Sequence, residues 1–144
     1  MLPSFDLTQK MLAGYSAMCK ELCRIWEIPQ TSLDILLFLA NNPEYTTARD
    51  IVQVRGIKAN LVSIHVDRLV QDGYLTRGAI QGDRRKHALM LTEKASPVVA
   101  AGRQMQENYS RVIFCGVPQE QLDAFFSTLS AIGENIDKFL KGQS

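Results

Sequence analysis

A chain of 144 residues, 46% hydrophobic and 22% charged, has material for one packed core and the balance of an ordinary globular protein, which argues against a disordered or fibrous chain. No apolar run approaches the roughly twenty residues that span a bilayer, and the first residues, Met1-Leu2-Pro3-Ser4-Phe5-Asp6, lack the cationic and apolar blocks of a secretion signal. Three cysteines, an odd number, suit a reducing cytoplasm better than a disulfide framework.

The predicted elements follow in chain order. From Asp6 to Trp26, apolar residues at 11, 12, 15, 18, 19, 22, 25 and 26 recur at three- and four-residue steps and make one broad apolar helix face, which Glu27-Ile28-Pro29 ends. Gln30-Thr31-Ser32 opens a short helix from Leu33 to Ala40, stopped at Asn41-Asn42-Pro43. A third helix spans Thr47 to Val54, with Thr47 and Asp50 spaced as a capping box and Gly56 closing it. The fourth runs from Lys58 to about Gln71 with Leu61, Val62, Val66, Leu69 and Val70 as its apolar stripe, and Asp72-Gly73 ends it in a left-handed turn. Two strands come next, Tyr74–Arg77 and Lys86–Leu91, joined by a loop that holds Gly78, Gly82 and Asp83-Arg84-Arg85-Lys86. A long helix from Thr92 to about Phe114 tolerates Pro97 in its first turn, Cys115-Gly116-Val117-Pro118 breaks it, and Gln119–Leu140 forms the last.

Two short helices followed by a basic hairpin form the order of parts of a winged helix-turn-helix. Charge is distributed to match. Residues 49–94 hold nine Lys/Arg against five Asp/Glu, a balance of +4, whereas the rest of the chain holds seven against ten, a balance of −3. A basic segment in an acidic frame offers one face to phosphates. The cations at 84, 85 and 86 are adjacent, and such clustering asks for an anionic partner.

Val66-Asp67-Arg68-Leu69, Gly73-Tyr74-Leu75-Thr76-Arg77, Asp83-Arg84-Arg85 and Leu89-Met90-Leu91-Thr92 together resemble the multiple-antibiotic-resistance regulator (MarR) family of winged-helix regulators. The resemblance extends over nearly the whole chain. It departs at Ala95, where glycine is usual, and at Leu61 and Ile64, where hydroxyl and basic residues are commoner. It implies a mainly α fold with a small β-hairpin wing: a single domain over 1–144, a winged helix-turn-helix at 30–95, and dimerisation helices at 1–29 and 96–144. A homodimeric repressor that binds a palindromic operator and is released by a small aromatic or lipophilic effector would follow. Phe5, Phe125, Phe126, Phe139 and Leu140 are candidate interface residues.

With Val62, Val66 and Leu69 turned inward, the fourth helix would present Lys58, Asn60, Leu61, Ser63 and Ile64 outward at its N-terminal end, next to Thr47. Asn60 suits a bidentate pair with adenine, Ser63 a base or phosphate, and Leu61 and Ile64 thymine methyls. Lys58 suits phosphate, where the helix N-terminus adds its own attraction. Arg85 is placed in the minor groove, oriented by Asp83, with Arg84 and Lys86 on the backbone. The resemblance places an effector pocket where the first, second and fifth helices meet the winged part, with Tyr15, Met18, Cys19, Trp26 and Phe38 as lining, although all five are also residues that pack a core.

His65 and His87, with Cys19, Cys23 and Cys115, lack the spacing of a zinc site, so no metal is expected, and His65 is expected to be a satisfied core residue. A peroxide-sensing branch of the family carries its reactive cysteine four residues before a Tyr-Ser pair. Here Met11 stands at that distance from Tyr15-Ser16. Thiol-based sensing through Cys19 or Cys23 remains an alternative, as does a winged helix that docks a protein rather than DNA. No Gly-x-Ser-x-Gly, phosphate loop or His-Glu-x-x-His is present, so neither an enzyme nor a cofactor is expected.

Overall fold

The computed structural model describes residues 5–80 and 83–143, with backbone alone at 79, 80 and 83–86. The elements run α1 (Phe5–Trp26), α2 (Gln30–Asn41), α3 (Ala48–Asp50) continuing as a π-turn (Ile51–Arg55), α4 (Ala59–Gln71), β1 (Leu75–Ile80), β2 (Asp83–Leu91), a 3-10 turn (Glu93–Ala95), α5 (Ser96–Ile113) and α6 (Gln119–Gly142). The chain divides into two compact units, Met1–Tyr109 and Ser110–Ser144.

Helix ends are written by local chemistry. Glu27 takes the left-handed conformation (φ 52°) and the Ile28 amide donates to the Cys23 carbonyl at 3.1 Å, a Schellman closure of α1 by a residue that is usually glycine. Glycine does the same for α4. Gly73 has φ 85°, and the Tyr74 and Gly73 amides donate to the carbonyls of Leu69 and Val70 at 2.9 and 3.1 Å. α2 starts at Gln30 rather than Leu33 because the extended Pro29 already offers its carbonyl to the Leu33 amide at 3.1 Å. Ser32, in the first turn of α2, is buried and its hydroxyl shares a hydrogen bond with His65.

The core of the first unit is α2. Leu33, Ile35, Leu36 and Leu37 are almost wholly buried, and Cys19, Ile51, Val62, Leu69, Leu75 and Val98 close around them. α5 comes close because Gly102 carries no Cβ: one built there would lie 2.6 Å from a Leu37 methyl carbon. Ala95 is fully buried in the 3-10 turn before α5, so its methyl packs inward.

In the second unit, Phe114 and Phe126 meet edge to face at 5.5 Å, and Phe125 and Phe126 at 5.4 Å. Along α6, seven large apolar residues (Phe125, Phe126, Leu129, Ile132, Ile136, Phe139, Leu140) are between 43% and 64% exposed. They recur at three- and four-residue intervals, the spacing of a helix stripe that seeks a partner. Among the described residues no helix is long and apolar enough to cross a membrane.

Candidate nucleic-acid interface

The first helix of the helix-turn-helix begins as its sequence predicts. The Thr47 hydroxyl accepts from the Asp50 amide at 3.1 Å, and the Asp50 carboxylate accepts from the Thr46 and Thr47 amides at 3.0 Å each, so five polar groups satisfy one another. Beyond Asp50 the expected α-helix is replaced by the π-turn, which runs to Arg55 instead of Val54. Residue types do not announce this widening, since both turns bury Ile51 with the same side-chain chemistry. Gly56, with φ 77°, then turns the chain toward α4.

α4 buries part of its predicted stripe; Val70 is half-buried and Leu61 is exposed. Val62, Val66 and Leu69 are buried, while Lys58, Asn60, Leu61, Ser63 and Ile64 are exposed, Leu61 at 37% and Ile64 at 61%. Lys58 is the N-cap residue and no side chain caps it, so the first amides of α4 are left for solvent or a ligand. His65 is half-buried and shares a 2.9 Å hydrogen bond with the Ser32 hydroxyl. It is satisfied as the sequence suggested, but at the margin of the core rather than inside it.

The wing is longer than predicted. β1 continues to Ile80 and β2 begins at Asp83, so Gly78 and Asp83-Arg84-Arg85-Lys86, expected in the connecting loop, lie within the strands. Past the core the strands lose their apolar alternation, the signal by which they were sought. Gly78 opposes Ala88, and a Cβ on it would come 2.8 Å from the end of Met90; small residues permit the pairing. The register shifts between Ala79 and Ile80. The side chains of Asp83, Arg84, Arg85 and Lys86 lie outside the described residues.

Register also decides what the wing shows to α4. Leu75↔Leu91, Arg77↔Leu89 and Ala79↔His87 share one face. At its base this face is buried through Leu75 and Leu89; farther out it turns polar, and Arg77 pairs with Asp67 of α4. The Leu89 amide donates to the Thr46 carbonyl at 2.7 Å, tying the wing to the start of α3. Between wing, α3 and α4 lies a concavity of about 890 Å³ bordered by Thr47, Arg49, Gln53, Ser63, Arg77 and His87. Four of these, Arg49, Gln53, Arg77 and His87, were not among the predicted site residues. Strand parity counted from Leu75 and Leu89 would have pointed to Arg77 and His87.

Packing sorts the basic segment's cations. Arg55 pairs with Asp34 at 3.5 Å, Arg68 with Asp72 at 3.2 Å, and Arg77 with Asp67. Lys94 donates to the Asp72 carbonyl at 2.6 Å and lies over the Tyr74 ring, 4.5 Å from its centroid. Arg49 and Lys58 make no ion pair with any described residue. They stand at the N-terminal ends of the two helices that border the concavity.

The predicted effector residues are part of the packing. Cys19 and Phe38 are buried, and Tyr15, Met18 and Trp26 pack against the core. The Gln106 amide donates to the Tyr15 hydroxyl at 3.2 Å, and the Tyr15 and Tyr109 rings meet at 5.6 Å. Burial pushes the Tyr15 hydroxyl up to about 12 and the Cys19 thiol up to about 11, and raises Cys23, with the Asp34 carboxylate adding to each shift. All three stay protonated at neutral pH, so neither thiol has the lowered pKa of a reactive cysteine. Cys115 is exposed and unbridged. Among the described residues no cluster suited to a metal occurs.

Residues 26–86 match the sequence profile of the MarR family. Over that segment, which holds the helix-turn-helix and most of the wing, the chain is similar to the MarR family. Its fold is shared with solved MarR proteins over most of its length. A Listeria monocytogenes protein assigned to the MarR-family transcriptional regulators, solved with a 26-mer DNA, superposes with a TM-score of 0.84, covering 97% of this chain and 93% of its own at 17% identity. A Methanosarcina mazei MarR transcriptional regulator gives 0.77 at 16% identity, covering 93% and 96%. An organohalide-sensing transcriptional regulator in its 2,4-dichlorophenol-bound form gives 0.67 at 17% identity, covering 90% and 76%. At these identities the likeness to solved structures is one of fold.

Proposed function

We propose that the chain is a homodimeric, sequence-specific DNA-binding transcriptional regulator, a repressor released by a small molecule. The observation that carries this reading is the pairing of an outward polar face on the first turns of α4 with a two-stranded wing beside it, in a fold that the Listeria protein uses while holding DNA. Lys58 and Arg49 would neutralise phosphates, Asn60 and Ser63 would meet base edges, and Leu61 and Ile64 thymine methyls. Thr47 would lie beside the sugar-phosphate strand, its hydroxyl hydrogen available while its oxygen caps α3. Arg85 would enter the minor groove with Asp83 beside it, and Arg84 and Lys86 would follow the backbone. The uncovered stripe of α6 supports a twofold dimer, whose two α4 helices would enter major grooves about 34 Å apart on a palindrome.

Sequencing the genomic fragments retained by the purified protein tests the reading. The affinity for the recovered duplex should fall steeply with salt, and Arg85→Ala should weaken binding by about 1–3 kcal/mol with the fold intact. Asp83→Ala should cost less through the same contact. Binding that is insensitive to both salt and Arg85 would instead point to a protein-docking winged helix.

The effector would be a small aromatic or lipophilic molecule that parts Tyr15, Met18, Cys19, Trp26 and Phe38, the class to which the dichlorophenol held by the organohalide-sensing relative belongs. Control by thiols is disfavoured by the raised Cys19 and Cys23. A Cys19→Ser, Cys23→Ser, Cys115→Ser triple variant is therefore expected to bind the recovered duplex like wild type and to resist peroxide equally. Peroxide release of the wild type but not of the folded variant would establish redox control instead.

A further inference from the structure

Asp34 is the only charged residue in the apolar run of α2 from Leu33 to Ala40, and its side chain is 12% exposed. Its carboxylate is supported from one side. Arg55 reaches Oδ2 at 3.5 Å and Gln30 hydrogen-bonds it, while the buried Oδ1 accepts no hydrogen bond from any described residue. From α1 it is faced by Tyr15, Cys19 and Cys23, none of which carries a compensating charge. Burial raises the Asp34 carboxyl above the ordinary carboxylate value, against the pull of Arg55 and Gln30.

Stability alone does not account for the arrangement, because a pair with a 41% exposed arginine adds little and an incompletely bonded buried carboxylate costs more. Arg55 is, however, the last residue of the π-turn, next to the left-handed Gly56 and three residues before the N-cap of α4. Such turns are rare and recur at functional sites.

We propose that Asp34 is a positioning residue for DNA binding: ionised, it holds Arg55 and with it the π-turn and the entry to α4, and protonated it releases them. The inference rests on the DNA-binding reading above. A group whose folded pKa is raised contributes stability that is present below its unfolded pKa and lost as pH rises through the folded value. Neutralising Asp34 therefore leaves the fold as stable or more stable while loosening the joint. Tyr15, Cys19 and Cys23, each raised by burial, stay neutral as pH falls from neutral.

Hydrogen exchange of the full chain at amides 51–58, corrected for intrinsic rates, reads the joint without DNA. Wild-type protection there should fall by about tenfold between neutral pH and an acid pH at which Asp34 is protonated, with α2 unchanged. Asp34→Asn and Arg55→Gln should show the lower protection at both pH values, and Arg55→Lys should restore part of it. Both loosened variants should bind a duplex enriched by wild type from a random pool about tenfold more weakly. The Tm of Asp34→Asn at neutral pH should be no lower than that of wild type. Protection in Asp34→Asn that still depends on pH, or a loosened joint with unchanged affinity, overturns the proposal; Arg55→Gln decides if Asp34→Asn does not fold. Wild type that enriches no duplex overturns the DNA-binding reading itself, which the exchange data distinguish from failure of the latch.

Discussion

Replacing Ile132 and Ile136 together with glutamate is expected to convert the protein to monomers and to weaken operator binding by at least about a hundredfold, the usual scale on which joined sites exceed single ones. The two residues lie one helical turn apart on α6 and are 47% and 51% exposed in the single chain. Glutamate is a good helix former, so nothing within the chain need move to accept it. Across a twofold interface the same four carboxylates would be brought together out of water, where like charges repel and desolvation is costly. Light scattering coupled to size exclusion reads the oligomer, and circular dichroism checks that helix content is kept. A dimer that survives both substitutions would show that the α6 stripe is not the interface, and monomers that bind the operator like wild type would remove the need for a dimer.

At the recognition helix the expected result is a difference in kind between neighbouring residues. Asn60→Ala or Ser63→Ala should relax the preference at one or two operator positions, at about 1–3 kcal/mol for the matched base. Lys58→Ala should weaken all sequences alike and reduce the salt slope by about one. The structure gives this contrast a physical basis. Asn60 and Ser63 are exposed on the first turns of α4, and neither serves as its cap. Lys58 occupies the N-cap, where the helix end itself attracts anions. Affinities for a set of singly mutated duplexes at several salt concentrations separate the two behaviours. A uniform, sequence-blind loss from all three variants would mean that α4 touches only phosphate.

Much of the winged helix was legible because its signals are local. The Thr47/Asp50 capping box, the Val62-Val66-Leu69 stripe and the left-handed Gly73 each follow from residue type and spacing within one turn of helix, and each stands where the sequence put it. Elements that rely on backbone pairing were less legible. β1 past Arg77 and β2 before Lys86 carry no apolar alternation in sequence, and their strand character is set by the partner strand. The π-turn leaves no trace in residue type.

The sequence by itself determined the order of elements, the buried Val62-Val66-Leu69 side of α4, the basic balance of residues 49–94 and the unspent apolar stripe of α6, since all of these depend on periodicity and count. Only the tertiary structure decided which charges are spent. Arg55, Arg68 and Arg77 are paired and Lys94 is bound to a carbonyl, while Arg49 borders the concavity and Lys58 stands exposed at the N-cap of α4. It also showed Asp34, one carboxylate in an apolar helix, to be the partner of Arg55. A charge's partner is set by through-space distance and burial, and residues 34 and 55 come within 3.5 Å only because α2 and the π-turn pack on the same core.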